Sequence, residues 1–167
     1  MKKGLYLYVF VLLSFLSGCS MNSNEHVFSQ QIFQSFVGSP HNSIPDTVQD
    51  GTIQVSMNLD GQYYKKGTKL LTLSIVNNGE PLFYGTQYTI ERFNEKTESW
   101  TEVPFRKDVG FDQIGLVIKQ SEIKDETITI GSASFSKPLE PGFYRVIKSF
   151  SVNGDKSIKL SSIFQIL

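Results

Sequence analysis

The chain has 167 residues, with 16 basic and 16 acidic side chains, one cysteine and two histidines. A net charge of zero offers no basic excess to neutralise a run of phosphates, which argues against nucleic acid as a partner. A single cysteine excludes a disulfide framework within the chain, and the length suits one domain with a tail.

Residues 1–18 have the layout of an export signal. Lys2 and Lys3 precede an uncharged, mostly apolar run from Gly4 to Leu16, and the small pair Ser17 and Gly18 follows. As a helix the run would reach roughly 20 Å, short of the roughly 30 Å hydrocarbon core, so a cleaved signal is expected rather than a spanning helix. Leu16, Ser17, Gly18 and Cys19 resemble the lipobox of bacterial lipoproteins. The resemblance implies a diacylglycerol on the Cys19 sulfur and cleavage just before that residue. It places the protein on the outer face of the bacterial cytoplasmic membrane, with the lipid bilayer as its first partner. One acyl chain anchors marginally, whereas two or more hold a protein stably. An ordinary secretory signal with a free or intermolecularly paired thiol stays open as the alternative. Cleavage would leave 14 basic against 16 acidic residues, still close to neutral.

Residues 19–50 read as a lipidated tether. Ser20 to Asp50 is poor in aliphatic residues and rich in Ser, Asn, Gln and Pro, including SPHNSIPDT from Ser39 to Thr47. Within it Phe28, Ile32, Phe33, Phe36 and Val37 recur at three- and four-residue spacing, the pattern of a short amphipathic helix near 26–37 that ends before Pro40. Three destinations stay open for it: the membrane, the surface of the domain, or disorder. His26 and His41 both fall here and read as solvated linker residues.

From Thr52 the period changes to two, and residues 51–167 read as one domain. Ile53, Val55, Met57 and Leu59 alternate with polar residues. Further strands are expected at Lys69–Asn77, Gln87–Phe93, Ser99–Val103, Gln113–Lys119, Glu126–Ile130, Phe143–Val152 and Lys156–Ile166. Asp60-Gly61, Asn77-Asn78-Gly79 and Asn153-Gly154-Asp155 supply turns, and Asn153-Gly154 predicts a tight hairpin between the last two strands. Seven to nine short antiparallel strands with turns at such spacing predict an all-β sandwich of the immunoglobulin-like kind, with a small barrel as the rival.

The segments YKKGTKLLTLSIVNNGE, YGTQYTIERF followed by WTEVPF, and LEPGFYRVIKSF resemble the bacterial Ig-like domains of Gram-positive surface lipoproteins, over roughly residues 52–166. The resemblance implies an Ig-like β-sandwich without an assigned activity. The residues add their own reading of LEPGFYR: Pro141-Gly142 makes the reversal into the next strand, and Tyr144 sits where a buried ring can place its hydroxyl on upstream backbone, as in a tyrosine corner. Strict alternation puts Lys148 on the face of Tyr144 and Val146, so the strand is expected to bulge or leave the core there. Trp100 reads as packing.

No catalytic constellation is visible. With both histidines in the tether and no cysteine beyond Cys19, residues 51–167 lack Ser-His, Cys-His and zinc-ligand sets, so neither an enzyme nor a cofactor is expected. Asp108 with Asp112 and Asp125 with Glu126 lie in or beside loops, but no D-x-D-x-D ladder supports calcium. A hydrolase with an unrecognised site is the third reading, behind two others. The first is a non-enzymatic interaction or structural module. The second is recognition of a cell-wall polymer or envelope protein by aromatic loops, Tyr63-Tyr64 beside Lys65-Lys66, and Phe105 with Phe111 in PFRKDVGF.

Overall fold

The computed structural model describes Phe33, residues 43–154 and residues 156–167. The expectations for the export signal, Cys19, His26, His41 and the 26–37 segment other than Phe33 lie outside the described residues.

Alternation builds the first sheet. In β2 (Ile53–Leu59) Ile53, Val55 and Met57 are buried while Gln54 and Asn58 face solvent. β2 lies between β1 (Thr47–Asp50) and β4 (Leu70–Asn77), and β4 pairs in turn with β9 (Glu122–Thr129), all antiparallel. The sheet therefore starts inside the stretch expected as tether. Thr47 to Asp50 gain a full register against Ser56 to Ile53, a long-range partner that four mostly polar residues do not announce.

The second sheet is organised by one long hairpin. β10 (Gly142–Val152) and β11 (Lys156–Ile166) pair without interruption from Gly142↔Ile166 to Val152↔Lys156. Asn153 and Gly154 turn the chain at φ 51° and 81°, the two positive values that a tight hairpin of matching twist requires. The other side of β10 is shared. Tyr144 to Ile147 pair with β6 (Thr89–Asn94), and Phe150 to Val152 pair with β5 (Leu82–Gly85). β7 (Ser99–Glu102) extends the sheet from β6, β8 (Gly115–Ile118) extends it from β5, and β3 (Tyr63–Tyr64) joins β11 in parallel.

The fold is the expected all-β Ig-like sandwich, with eleven strands among the described residues instead of seven to nine. β1, β3 and β5 are two to four residues long, too short for a period to register. Between the sheets Val55, Met57, Leu73 and Ile75 meet Val146, Phe150, Leu160 and Phe164 in one buried cluster. A second, smaller cluster forms outside it: Phe33, 2% exposed, packs with Phe143 and Ile163, and its ring centroid lies 5.4 Å from that of Tyr63. Of the three destinations open to the 26–37 segment, Phe33 itself takes the domain surface.

Lys148 corrects the expectation of a bulge. The β10–β11 register runs unbroken through it, and the side chain stays in the core, 1% exposed. Its Nζ donates to Glu126 Oε2 at 2.7 Å and to the Gly85 carbonyl at 3.1 Å, and lies 5.1 Å from the centre of the Tyr84 ring. An ammonium taken out of water is destabilising by several kcal/mol unless a well-placed counter-charge meets it. Glu126 comes from the opposite sheet, so the alternation survives because the pair bridges the two layers.

Asn77 makes a second such bridge. Fully buried on β4, it donates Nδ2 to the carbonyls of Glu80 (2.8 Å), Ile118 (3.2 Å) and Lys119 (3.1 Å) and accepts at Oδ1 from the Gly79 N–H. Gly79 itself is required by space. A Cβ there would lie 2.2 Å from the Thr52 carbonyl oxygen.

Replacing Glu126 by Gln leaves the Lys148 charge buried without a counter-charge, and we expect a loss of roughly 3–5 kcal/mol. The double variant Lys148→Met, Glu126→Gln should recover most of that loss. Urea unfolding of the two variants checks this; equal loss in both would refute the ion pair as its cause.

Candidate functional site

Tyr144 and its neighbours define one end of the sandwich. The ring is 1% exposed and stacks on Phe164 at 5.5 Å, and the hydroxyl donates to the Glu140 carbonyl four residues upstream at 2.6 Å. This is the geometry of a tyrosine corner. Pro141 and Gly142 form the approach: Gly142 sits at φ +147°, and the Pro141 carbonyl accepts from Arg92 Nη2 at 3.0 Å. The Arg92 guanidinium in turn lies over the Tyr144 ring at 5.8 Å. Burial pushes the Tyr144 phenol above its usual range.

Trp100 does not join the main core. It meets Phe93 edge-on at 5.3 Å and carries the Arg145 guanidinium 4.4 Å above its ring, in the outer cluster with Phe33 and Phe143. Arg145 is 4% exposed and bonded through Nε to Glu91 at 2.6 Å. β10 thus sends Lys148 to its inner side and Arg145 to its outer side, each with a carboxylate.

The four aromatic residues expected as a recognition surface fall into two separate groups, all half-buried. Tyr63 and Tyr64 are consecutive on β3 and face opposite ways. Tyr63 meets Phe33, while Tyr64 meets Phe164 edge-on at 5.8 Å and donates its hydroxyl to Asp60 at 2.6 Å. Phe105 and Phe111 are brought together at 5.1 Å, and both close on Tyr88, at 5.4 and 5.1 Å. Phe105 also stacks on Phe135 at 4.8 Å. The Tyr88 hydroxyl donates to the Thr129 carbonyl at 2.9 Å and accepts from the Thr129 N–H at 3.1 Å. These ring contacts pin the 104–111 loop to the sandwich.

The larger concavity lies elsewhere. A groove of about 900 Å³ runs between the β6–β7 hairpin and the 134–142 loop. Val103, Pro104 and Pro138 supply its accessible apolar lining, over the buried Phe135, Leu139 and Tyr144, and Lys96, Lys137, Glu95 and Glu102 its charged rim. This is the upper part of the size range of ligand clefts. The sequence reading reached Tyr144 and Pro141 as structural residues but not the groove they border. Its opposite wall comes from Arg92 to Lys96 and Thr101 to Pro104, some forty residues earlier, and only the fold joins them.

Carboxylates do not converge on a reactive centre. Asp108 is held by Arg106 through Nε at 3.0 Å and Nη2 at 2.6 Å, and Glu126 by Lys148. Among the described residues no group of three His, Cys, Asp or Glu side chains is placed to hold a metal ion.

Residues 51–165 match the family described as the bacterial Ig-like domain. No curated protein matches the chain. Among solved structures, similarity extends to the CARDB domain of a Pyrococcus furiosus protein in complex with di-metal ions, at 8% identity and a TM-score of 0.35, covering 71% of this chain and 97% of that one. The soluble domain of PmoD from Methylocystis sp. is similar at 11% identity and a TM-score of 0.36, covering 75% of this chain and 99% of that one.

One titration follows from the Tyr64–Asp60 contact. The Tyr64 hydroxyl bonded to it holds the Asp60 carboxyl below its usual range, against a smaller opposing push from burial. Because the folded pKa is depressed, the unfolded chain takes up the proton first. The contribution is therefore complete above the ordinary carboxylate range of about pH 4 and disappears as the pH falls through the folded value. Denaturation midpoints measured from pH 7 downward should show Asp60→Asn less stable than the parent at neutral pH, with the two curves converging as the pH falls below the ordinary carboxylate range of about 4. A gap that persists undiminished in acid would refute it. Separately, Tyr144→Phe should be less stable by about 1 kcal/mol, the usual worth of one hydrogen bond, in the same assay.

Proposed function

The chain belongs to the family of bacterial Ig-like domains, and on that premise we propose that it is a lipoprotein of the bacterial cell envelope. In this reading diacylglycerol on Cys19 holds it on the outer face of the cytoplasmic membrane, and the sandwich acts as a non-enzymatic interaction module for an envelope protein or polymer. The observation that carries the anchor is the position of the single cysteine. In 167 residues the one thiol falls directly after Leu16, Ser17 and Gly18, at the end of an apolar run too short to span a bilayer.

The position of Phe33 supports a short leash. From Cys19 to Thr47 the chain has 28 steps, which fully extended reach at most roughly 100 Å. Phe33 is already seated on the domain, so only the 14 steps from Cys19 to Phe33 separate bilayer and sandwich, a limit of roughly 50 Å. A module held that close meets membrane proteins and the inner layers of the wall before anything beyond them.

Cells fed radiolabelled palmitate should incorporate label into the parent protein and not into Cys19→Ala, which should accumulate as the longer precursor. Label retained on Cys19→Ala would overturn the anchor.

A further inference from the structure

The groove borders β7, which among the described residues pairs with no strand but β6. The Val103 N–H donates to the Ile90 carbonyl at 2.8 Å, so the odd-numbered positions of β7 bond to β6, and the pair Arg92↔Thr101 continues that ladder. By alternation the N–H and C=O of Glu102 point away from β6, out of the free edge, with no partner among the described residues. The same edge is occupied further along. Arg106 N–H donates to the Ser134 carbonyl at 3.0 Å, and Phe105 forms an antiparallel bridge with Phe135.

Extending that register sets Pro104 opposite Ser136 and Glu102 opposite Pro138. Those are the next two bonding positions, and at each of them one partner is a proline without an N–H. Pairing therefore stops after a single bridge. The 136–141 segment leaves the edge, and the groove of about 900 Å³ is the space between.

We propose that this groove binds an extended peptide segment of a partner protein, which adds as a strand to the free edge of β7. The peptide exchanges an N–H and a C=O with Glu102 and lays alternate apolar side chains against Val103, Pro104 and Pro138, the accessible apolar residues of the groove. Backbone pairing supplies the affinity, and the apolar lining with Lys96 and Lys137 at the rim supplies the selection. The inference rests on the interaction-module reading and gives that module its class of ligand.

The mature full-length chain in detergent micelles would be screened against a phage library of random linear dodecapeptides. Enriched peptides should carry apolar residues at every second position, and a synthetic copy should bind Cys19→Ala as well as the parent, which scores peptide capture separately from anchoring. Glu102→Pro removes the outward N–H without touching a bond to β6, and should weaken binding about tenfold, the effect of one lost backbone bond. Glu102→Ala keeps the backbone N–H and removes the rim carboxylate alone, and should weaken binding less than Glu102→Pro does. N-methylation of alternate peptide amides should abolish binding in one phase and spare it in the other, a test that leaves the protein untouched. No enrichment, or binding indifferent to both Glu102→Pro and N-methylation, would overturn the proposal. So would self-association of the parent chain that Glu102→Pro abolishes, which would seat a second copy in the groove.

Discussion

The register of the β10–β11 hairpin is the constraint on which the rest of the structure depends. β10 gives its other side to two different strands, β6 and β5, and β11 gives its own to β3, so most of the second sheet is positioned by this ladder. A slip of β10 by one residue would turn Val146 and Phe150 to the outside and bring Arg145 into the core. Asn153-Gly154 prevents the slip locally because the turn fixes which residues face each other. The same register commits Lys148 to the interior, and β9 has to answer with Glu126.

With no cysteine after residue 19, the two sheets are held together by burial and by a few polar bridges that cross between them. Lys148 reaches Glu126, Asn77 reaches the carbonyls after β8, and the Leu59 N–H on β2 donates to Ser162 Oγ on β11 at 3.1 Å. Each bridge is conditional: a polar group in the core stabilises the fold only while its partner is present. Their effect is therefore as much on alignment as on net stability. Apolar contacts tolerate sliding, whereas a buried amide with three carbonyl neighbours does not.

Long alternating segments were legible in the sequence because burial of one face writes a period of two into every second residue, as at Ile53–Leu59 and in the final hairpin. Tyr144 was legible too, since Pro141-Gly142 sets the turn that its hydroxyl closes. Lys148 was read as a misfit in that pattern, and the reading failed because its counter-charge lies 22 residues away on the other sheet. β1, with its mostly polar residues, depends on β2 and not on a pattern of its own. The groove escaped for a related reason. Pro104 and Pro138 are plain in the sequence, but their meaning as paired interruptions of one ladder exists only once Phe105 faces Phe135. Tyr63 and Tyr64 show the reverse case: adjacency suggested one aromatic patch, and the pleat of a strand sends the two rings to opposite sides.

Tyr88 shows how differently the two sheets end. Among the described residues β9 has a strand neighbour only in β4, yet at Thr129 both outward backbone groups are already met by one phenol, which donates to the carbonyl and accepts from the N–H. A single side chain thus impersonates the peptide unit of a next strand, and an intruding segment would have to evict it before pairing. The molecule in this way counterfeits a neighbour on one margin, while on the other prolines keep its own 136–141 segment from pairing. Closure and receptivity at these two margins are consequently settled by individual residues.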